Sequence, residues 1–238
     1  LPLHRIVPLA PPEAMRDIIA GFRRQGFGHF QIKLGHTIEE DVELLRAIAP
    51  DFAGGEIRVG DANGAWRRDE ALRFSHAVRD LDIYLEQPCA TYDECRAVRR
   101  RSAHPVKLDE SLECPADVRR AIADDAMDAA ALKVSKFGGL TPARVIRDLC
   151  VDAGIALTIE DAWGSGIATA AYAHLAMSTP ADCLLNTTDL HNYNTIQLAH
   201  GAPETSGGEM RLGDAPGLGV EPDFETLGEP LLVLDRDS

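Results

Sequence analysis

The amino-acid sequence predicts an α/β fold, a (β/α)8 barrel of the TIM type. Five segments have the pattern of short buried strands, and each ends on an ionisable residue: Lys33, Asp61, Glu86, Asp109 and Lys133. These positions recur every 23 to 28 residues, the length of one strand, one helix and two loops. A chain of 238 residues also fits a single barrel, for which ~250 residues is typical.

The predicted elements alternate along the whole chain. Pro12 opens the first helix, since proline is favoured in the first turn, and later helices show apolar residues at helical spacing. The predicted strands are residues 3–8, 30–33, 57–61, 83–86, 106–109, 129–133, 155–159 and 183–185. The other predicted helices are residues 39–48, a stretch after Trp66, and residues 95–101, 116–122, 143–153 and 167–177. This alternation favours a closed barrel over an open sheet.

We expect two regions in the chain. Residues 1–206 form the predicted catalytic barrel. Residues 207–238 form a predicted C-terminal tail, which is rich in glycine and proline, has the composition of loop or cover structure, and is expected to pack against a capping domain that this chain lacks.

The amino-acid composition limits the classes of partner that the protein can bind. The net charge of −14 argues against nucleic acid or an anionic membrane, because both are bound through clustered lysine and arginine. The one basic run, residues 96–101, lies at the end of a predicted helix, where it complements the helix dipole. Five scattered cysteines without a C-x-x-C pair predict a reduced, cytoplasmic protein. No apolar run approaches the ~20 residues of a membrane span.

Three consecutive strand ends carry carboxylates: Asp61, Glu86 and Asp109. The carboxyl ends of barrel strands meet at one rim, and a cluster of carboxylate oxygens suits Mg²⁺. The alternative is that each acid caps the helix that follows it. Their regular recurrence favours a metal site.

Lys33 and Lys133 flank the three acids in the sequence. The second and sixth strands of an eight-stranded barrel lie on opposite sides of the rim, so the two amines are predicted to face each other across a substrate. A lysine near a metal ion can act as a general base. The alternative for either lysine is a structural ion pair. Lys136 lies beyond the strand end, and we expect it to contact the catalytic and metal-binding residues without contacting substrate.

Six short motifs run through the chain at consistent spacing. They are Gln31-Ile32-Lys33, Asp61-Ala62-Asn63-Gly64-Ala65-Trp66, Glu86-Gln87-Pro88, Leu108-Asp109-Glu110-Ser111, residues 133–140 and Pro216-Gly217-Leu218-Gly219. Together they closely resemble the enolase superfamily, in its mandelate racemase/muconate lactonizing enzyme branch. Within that branch the sequence looks most like the cis-3-hydroxy-L-proline dehydratases and the related proline-betaine epimerases.

The resemblance implies a chemistry and a set of roles. It implies Mg²⁺ held by Asp61, Glu86 and Asp109, and removal by Lys33 or Lys133 of the proton α to a carboxylate, which gives an enediolate. It also implies a small-molecule substrate and a homo-oligomer. Asn63, Glu110 and Lys136 are expected just behind these groups, and Asp161, Trp163 and Asp189 are expected to contact a substrate ring nitrogen. For Trp163 the alternative is packing against a barrel helix.

Two departures from the family pattern stand out. Gln31 occupies a position where relatives often carry a second lysine. The sequence also shows no α+β capping domain before the barrel, so we expect this domain to be missing from the chain and the rim to be open to water.

Three hypotheses for function remain open. The first is Mg²⁺-dependent dehydration of cis-3-hydroxy-L-proline. The second is racemisation or epimerisation of proline-type amino acids or their betaines. The third is a barrel retained as a non-catalytic scaffold, against which the intact lysines and acids count.

Overall fold

The computed structural model describes residues 1–232, and its centre is one parallel sheet whose strands follow in sequence order from β1 to β8. The strands are β1 (His4–Val7), β2 (His29–Lys33), β3 (Ile57–Asp61), β4 (Tyr84–Glu86), β5 (Val106–Leu108), β6 (Ala129–Lys133), β7 (Ala156–Glu160) and β8 (Leu184–Thr187). Leu3 forms a parallel bridge with Thr187, and the Thr187 amide donates to the Pro2 carbonyl at 2.9 Å. The sheet therefore curls into a nearly closed barrel, and the predicted fold is confirmed.

Seven helices connect the strands. They are α1 (Pro12–Arg24), α2 (Ile38–Ile48), α3 (Arg68–Ala77), α4 (Tyr92–Arg99), α5 (Pro115–Ala123), α6 (Leu140–Asp152) and α7 (Gly166–Met177). Local sequence fixes their starts: Pro12 occupies the first turn of α1, and Thr37 forms a capping box with Glu40 at the start of α2. Apolar faces such as Leu45 of α2 and Phe74 of α3 are fully buried against the strands.

Strand register brings the charged strand ends to one level. Lys33 pairs with Asp61, Asp61 pairs with Glu86, and Lys133 pairs with Glu160. Because parallel neighbours point the same way at paired positions, these side chains project into the barrel mouth together.

The segment after β8 replaces an eighth barrel helix. A 3₁₀ turn (Leu190–Tyr193) leads to short antiparallel pairs and one helical turn: β9 (Ala199–His200) with β12 (Glu221–Pro222), β10 (Glu204–Ser206) with β11 (Glu209–Arg211), and α8 (Phe224–Leu227). Met210 is fully buried, and its backbone exchanges hydrogen bonds with that of Leu1.

The sequence division at residue 206 falls inside the β10–β11 hairpin, so the start of the predicted tail packs on the barrel itself. Residues 233–238 of that tail lie outside the described residues. Among residues 1–232, no helix is both long enough and apolar enough to cross a membrane.

Candidate active site

A cavity of about 370 Å³ opens at the carboxyl ends of the strands. This volume lies in the range of small-molecule sites. Its lining includes most of the predicted site residues: Lys33, Asp61, Asn63, Asp109, Glu110, Lys133, Lys136, Asp161 and Trp163. A cavity of about 450 Å³ lies outside the barrel against α2, but its walls contain no lysine and none of the strand-end acids.

Lys33 forms one side of the cavity. Its Nζ donates to Asp61 Oδ2 at 2.5 Å and to Asn63 Oδ1 at 3.0 Å. The Asn63 side-chain amide in turn donates to Glu110 Oε1 at 3.0 Å. Asn63 and Glu110 therefore link the β3 and β5 ends of the rim, beside the predicted acids.

Lys133 forms the opposite side. Its Nζ donates to Asp109 Oδ2 at 2.6 Å and lies 3.9 Å from Glu160 Oε1. Lys136 Nζ reaches the other Asp109 oxygen, Oδ1, at 3.1 Å, so two amines share one carboxylate. Since β2 and β6 are four strands apart in an eight-stranded barrel, Lys33 and Lys133 approach the cavity from opposite walls.

Glu86 lies between these two sides and deeper in the barrel. Its Oε2 accepts a hydrogen bond from the Gln31 side-chain amide at 2.8 Å. Its Oε1 lies 2.9 Å from Lys107 Nζ, yet this buried oxygen accepts no well-oriented hydrogen bond. Glu86 and Lys107 are each only 1% exposed.

Burial and neighbouring charges shift the pKa values of the acids in opposite directions. Burial, and then the nearby charge of Glu86, raise the pKa of Asp61 to about 7 despite its contact with Lys33. Burial also raises the pKa of Glu160 to about 7, although Lys107 and Lys133 oppose this. Asp109 keeps a pKa below its usual value because Lys133 and Lys136 outweigh the effect of its burial.

The lysines respond to the same charges. Burial lowers the pKa of Lys133, but Glu160 and Asp109 more than compensate, so its pKa is raised overall. The pKa of Lys107 is raised in the same way, with Glu86 as the main charge acting against burial. Both amines are therefore protonated in this arrangement.

The three carboxylates have the chemistry that a magnesium ion requires. They supply oxygen ligands from adjacent strands. Burial is the main cause of the raised pKa of Asp61, and the charge of Glu86, which a cation would offset, adds to it. Glu86 Oε1 provides a buried acceptor without a well-formed hydrogen bond. Within residues 1–232, no three acidic, histidine or cysteine side chains converge closely enough to share an ion as they stand. Lys33, Lys107 and Lys133 each contact one of the three acids instead.

The residues predicted to contact substrate divide into two groups. Asp161 lines the cavity, where its carboxylate accepts hydrogen bonds from the Ser135 amide at 3.1 Å and the Ala162 amide at 2.8 Å. Trp163 also lines the cavity, with 66% of its surface exposed, and contacts Tyr193 edge-on at 5.4 Å between ring centroids. Trp163 therefore belongs to the rim and is not packed against a barrel helix.

Asp189 does not reach the cavity, and the structure contradicts its predicted contact with substrate. Its side chain is completely buried, and the Arg5 guanidinium binds both carboxylate oxygens. Asn192 and Thr205 donate to Oδ2 at 3.0 and 2.7 Å. Asp189 instead joins β1 to the segment after β8, although its neighbours Thr188 and Leu190 line the cavity.

Two buried ionisable groups of the barrel interior, Glu160 and Lys107, were not predicted from the sequence. Glu160 ends β7 and lines the cavity, as the other strand-end acids do, so the same pattern could have identified it. Lys107 precedes Asp109 by two residues, and residues two apart on a strand point to the same side, which is the inside of the barrel here. A lysine between two apolar residues gave no other sign of burial.

Comparison with known proteins places this geometry in a family. Residues 14–226 match the family described as Enolase C-terminal domain-like. The chain belongs to the enolase superfamily, in its mandelate racemase/muconate lactonizing enzyme branch. It is 45% identical to cis-3-hydroxy-L-proline dehydratase of Roseibium aggregatum, over 96% of this chain and 62% of that protein. It is 35% identical to L-Lys-D/L-Arg epimerase of Methylococcus capsulatus, over 82% of this chain and 56% of that protein.

Solved structures agree with this assignment. An enolase-superfamily member from Roseovarius nubinhibens, crystallised with magnesium, superposes with a TM-score of 0.93 at 34% identity, covering 98% of this chain and 64% of that one. The chain thus spans about three fifths of the length of these relatives. Its relatives within the superfamily include dehydratases, racemases and epimerases, so the lyase and isomerase classes predicted from the sequence are both consistent with this membership.

Proposed function

We propose that this enolase-superfamily barrel is the catalytic part of a Mg²⁺-dependent dehydratase that acts on cis-3-hydroxy-L-proline. The observation that carries the proposal is the placement of Lys33 and Lys133 on opposite walls of one cavity, with buried carboxylates between them. The 45% identity to a cis-3-hydroxy-L-proline dehydratase supports the substrate.

Asp61, Glu86 and Asp109 would hold the metal ion. When bound, Mg²⁺ would supply positive charge that stabilises the negative charge developing on the substrate carboxylate. Relatives crystallised with magnesium support this choice of ion.

Two opposed amines suit the stereochemistry of the substrate. In the cis isomer the hydroxyl and the carboxylate share one face of the ring, so the α-proton and the hydroxyl lie on opposite faces. One lysine, in its neutral form, removes the α-proton. The other, protonated, donates a proton to the departing hydroxyl, which leaves as water. The product is an unsaturated ring that tautomerises to a pyrroline carboxylate.

The rim provides contacts for the ring nitrogen. Asp161 contributes negative charge at the cavity wall, and Trp163 presents an exposed indole against which a cationic nitrogen can lie. Asp189 has no part in this proposal, since its carboxylate is already paired with Arg5. A homo-oligomer and a cytoplasmic location remain predictions from the sequence.

The alternative is a racemase or epimerase of proline-type amino acids or betaines. The same lysine pair favours it, because a proton removed from one face can be returned to the other, and the likeness to an epimerase supports it. Here no hydroxyl leaves.

Incubation in D₂O separates the two reactions. The full-length protein with MgCl₂ is mixed with cis-3-hydroxy-L-proline and, separately, with L-proline and proline betaine, and ¹H NMR follows the α-proton. A dehydratase forms a pyrroline carboxylate from the first compound only. An epimerase returns α-deuterated substrate together with its epimer. Neither reaction with any compound, with EDTA-treated protein as the baseline, would refute both.

A further inference from the structure

The barrel interior contains a buried ammonium group to which the proposed reaction gives no role. Lys107 lies in the middle of β5 with its side chain inside the barrel, where only 1% of its surface is exposed. Among the described residues, its one ion-pair partner within 4 Å is Glu86, at 2.9 Å. Gln31 holds the other Glu86 oxygen at 2.8 Å. Gln31 therefore holds one Glu86 oxygen through a hydrogen bond, and Lys107 places its positive charge beside the other.

We propose that Lys107 is a positioning residue, a fixed countercharge that orients the Glu86 carboxylate and weakens the affinity of the site for Mg²⁺. The inference rests on the metal site of the proposed function and goes beyond it by assigning a role to a residue outside that site.

The formal charges around the proposed metal site explain how Lys107 can affect Mg²⁺ binding. Four acids, Asp61, Glu86, Asp109 and Glu160, face four lysines, Lys33, Lys107, Lys133 and Lys136. Formally the group is neutral before any ion enters. A divalent cation therefore gains net attraction only where amines move away from the carboxylates they contact.

The rim lysines and Lys107 differ in their freedom to move. The side chains of Lys33, Lys133 and Lys136 are 22% to 27% exposed, so each can swing toward solvent or substrate when its acid takes a new partner. Lys107 is enclosed by the barrel, with only 1% of its surface exposed. Its positive charge stays beside Glu86 and repels any cation that this carboxylate binds.

A purely structural role fits the position poorly. Barrel interiors are usually filled by branched apolar side chains, and a buried ammonium carries a desolvation cost that only good pairing offsets. A methionine would fill a similar volume without that cost. The ion pair is understandable if its benefit is a Glu86 carboxylate that is correctly oriented before the metal ion binds.

The test measures Mg²⁺ binding to the full-length protein by calorimetry, and thermal unfolding in EDTA and in saturating MgCl₂. Lys107→Met removes the charge and keeps the volume. We expect its Kd for Mg²⁺ to fall by about tenfold or more, because a unit charge beside the ion's ligand is removed. The rise in Tm caused by Mg²⁺ should grow accordingly, since tighter binding stabilises the folded state more.

Arg147→Met is the matched control. Arg147 is a buried cation on α6, outside the barrel, and donates to Ser178 and Thr179 at 3.1 Å each. We expect this change to lower the Tm but to leave the Mg²⁺ Kd within about twofold of the original, because the sites are far apart and independent.

The results distinguish a failure of the role proposed for Lys107 from a failure of the proposed Mg²⁺ site. If the unmodified protein binds no Mg²⁺, the proposed metal site is wrong. If it binds Mg²⁺ but Lys107→Met has an unchanged or higher Kd, only the role of Lys107 is refuted. If Lys107→Met does not fold, the double variant Lys107→Met/Glu86→Gln decides. Recovery of folding in EDTA supports the charge pairing, and failure to recover overturns it.

Discussion

Replacing Lys133 by glutamine tests the proposed acid–base chemistry most directly. The change keeps a hydrogen-bonding side chain of similar reach but removes the group that exchanges a proton with substrate. A positioned acid or base contributes ~10²- to 10⁴-fold to rate, so we expect kcat to fall by at least ~10²-fold, or about 2.7 kcal/mol in the activation barrier.

The structure indicates that the variant will still fold. Lys133 makes one hydrogen bond to Asp109, and a bond of this charged type contributes ~1.5–3 kcal/mol, with the lower end expected for a side chain that is 22% exposed. Asp109 keeps both contacts with Lys136, to its backbone oxygen at 3.0 Å and to Oδ1 at 3.1 Å. The lost stability is therefore smaller than the ~5–15 kcal/mol of a typical domain.

The assay is α-proton exchange in D₂O with cis-3-hydroxy-L-proline, followed by ¹H NMR alongside product formation. Lys136→Gln serves as the comparison, because it also removes an amine from Asp109 but not one at a strand end. We expect a clearly smaller loss for Lys136→Gln than for Lys133→Gln. Product formation by Lys133→Gln within tenfold of the original rate, in folded protein, would refute the assignment of Lys133.

Three further changes test other parts of the site. In EDTA, the unfolding free energy of Asp61→Asn should rise relative to the original protein by up to ~1.4 kcal/mol per pH unit between about pH 4 and 7. The reason is that unfolded chains lose the Asp61 proton near pH 4, whereas the folded protein keeps it up to a pKa of about 7. Urea titrations across that range measure this, and a flat difference contradicts it. Asp189→Asn should cost ~3 kcal/mol of stability through the loss of the buried Arg5 pair, yet leave kcat/KM unchanged below the new Tm. A KM effect would instead restore Asp189 to the substrate site. Trp163→Ala should raise KM with little change in Tm, since the indole is 66% exposed, and steady-state kinetics at varied substrate concentration will show it.

The order of elements could be predicted from the sequence because each unit repeats the same local pattern. The predicted strands 57–61 and 129–133 match β3 and β6 residue for residue, since each is a short segment that stops at a charged residue, although β3 also contains Arg58. The ends of the helices were predicted less accurately than those of these strands, because capping groups such as Thr37 and Glu40 decide where a helix starts. The region after β8 could not be predicted, because its short strands depend on contacts with distant residues such as Leu1.

The residues of the candidate site could be predicted where their position at the end of a strand determines that they face the cavity. Lys33, Asp61 and Lys133 line one cavity because parallel strands in register end at the same rim. Asp189 follows a strand end by the same reasoning but belongs to a different environment. Its neighbour in space, Arg5, is 184 residues away in the chain, and no local pattern reveals that pair.

The burial of Lys107 and its pairing with Glu86 could not be recognised from the sequence alone. In the sequence it is one polar residue between Val106 and Leu108, which is compatible with an exposed edge as well as with a barrel interior. Closure of the barrel decides between these, because it leaves the inward side of β5 with no solvent to face. Once enclosed, the ammonium needs a carboxylate, and Glu86 on the neighbouring strand is in reach. The acid that we propose as a metal ligand therefore also pairs with a buried lysine, so on this proposal the stability of the barrel and the affinity of the site for Mg²⁺ cannot vary independently.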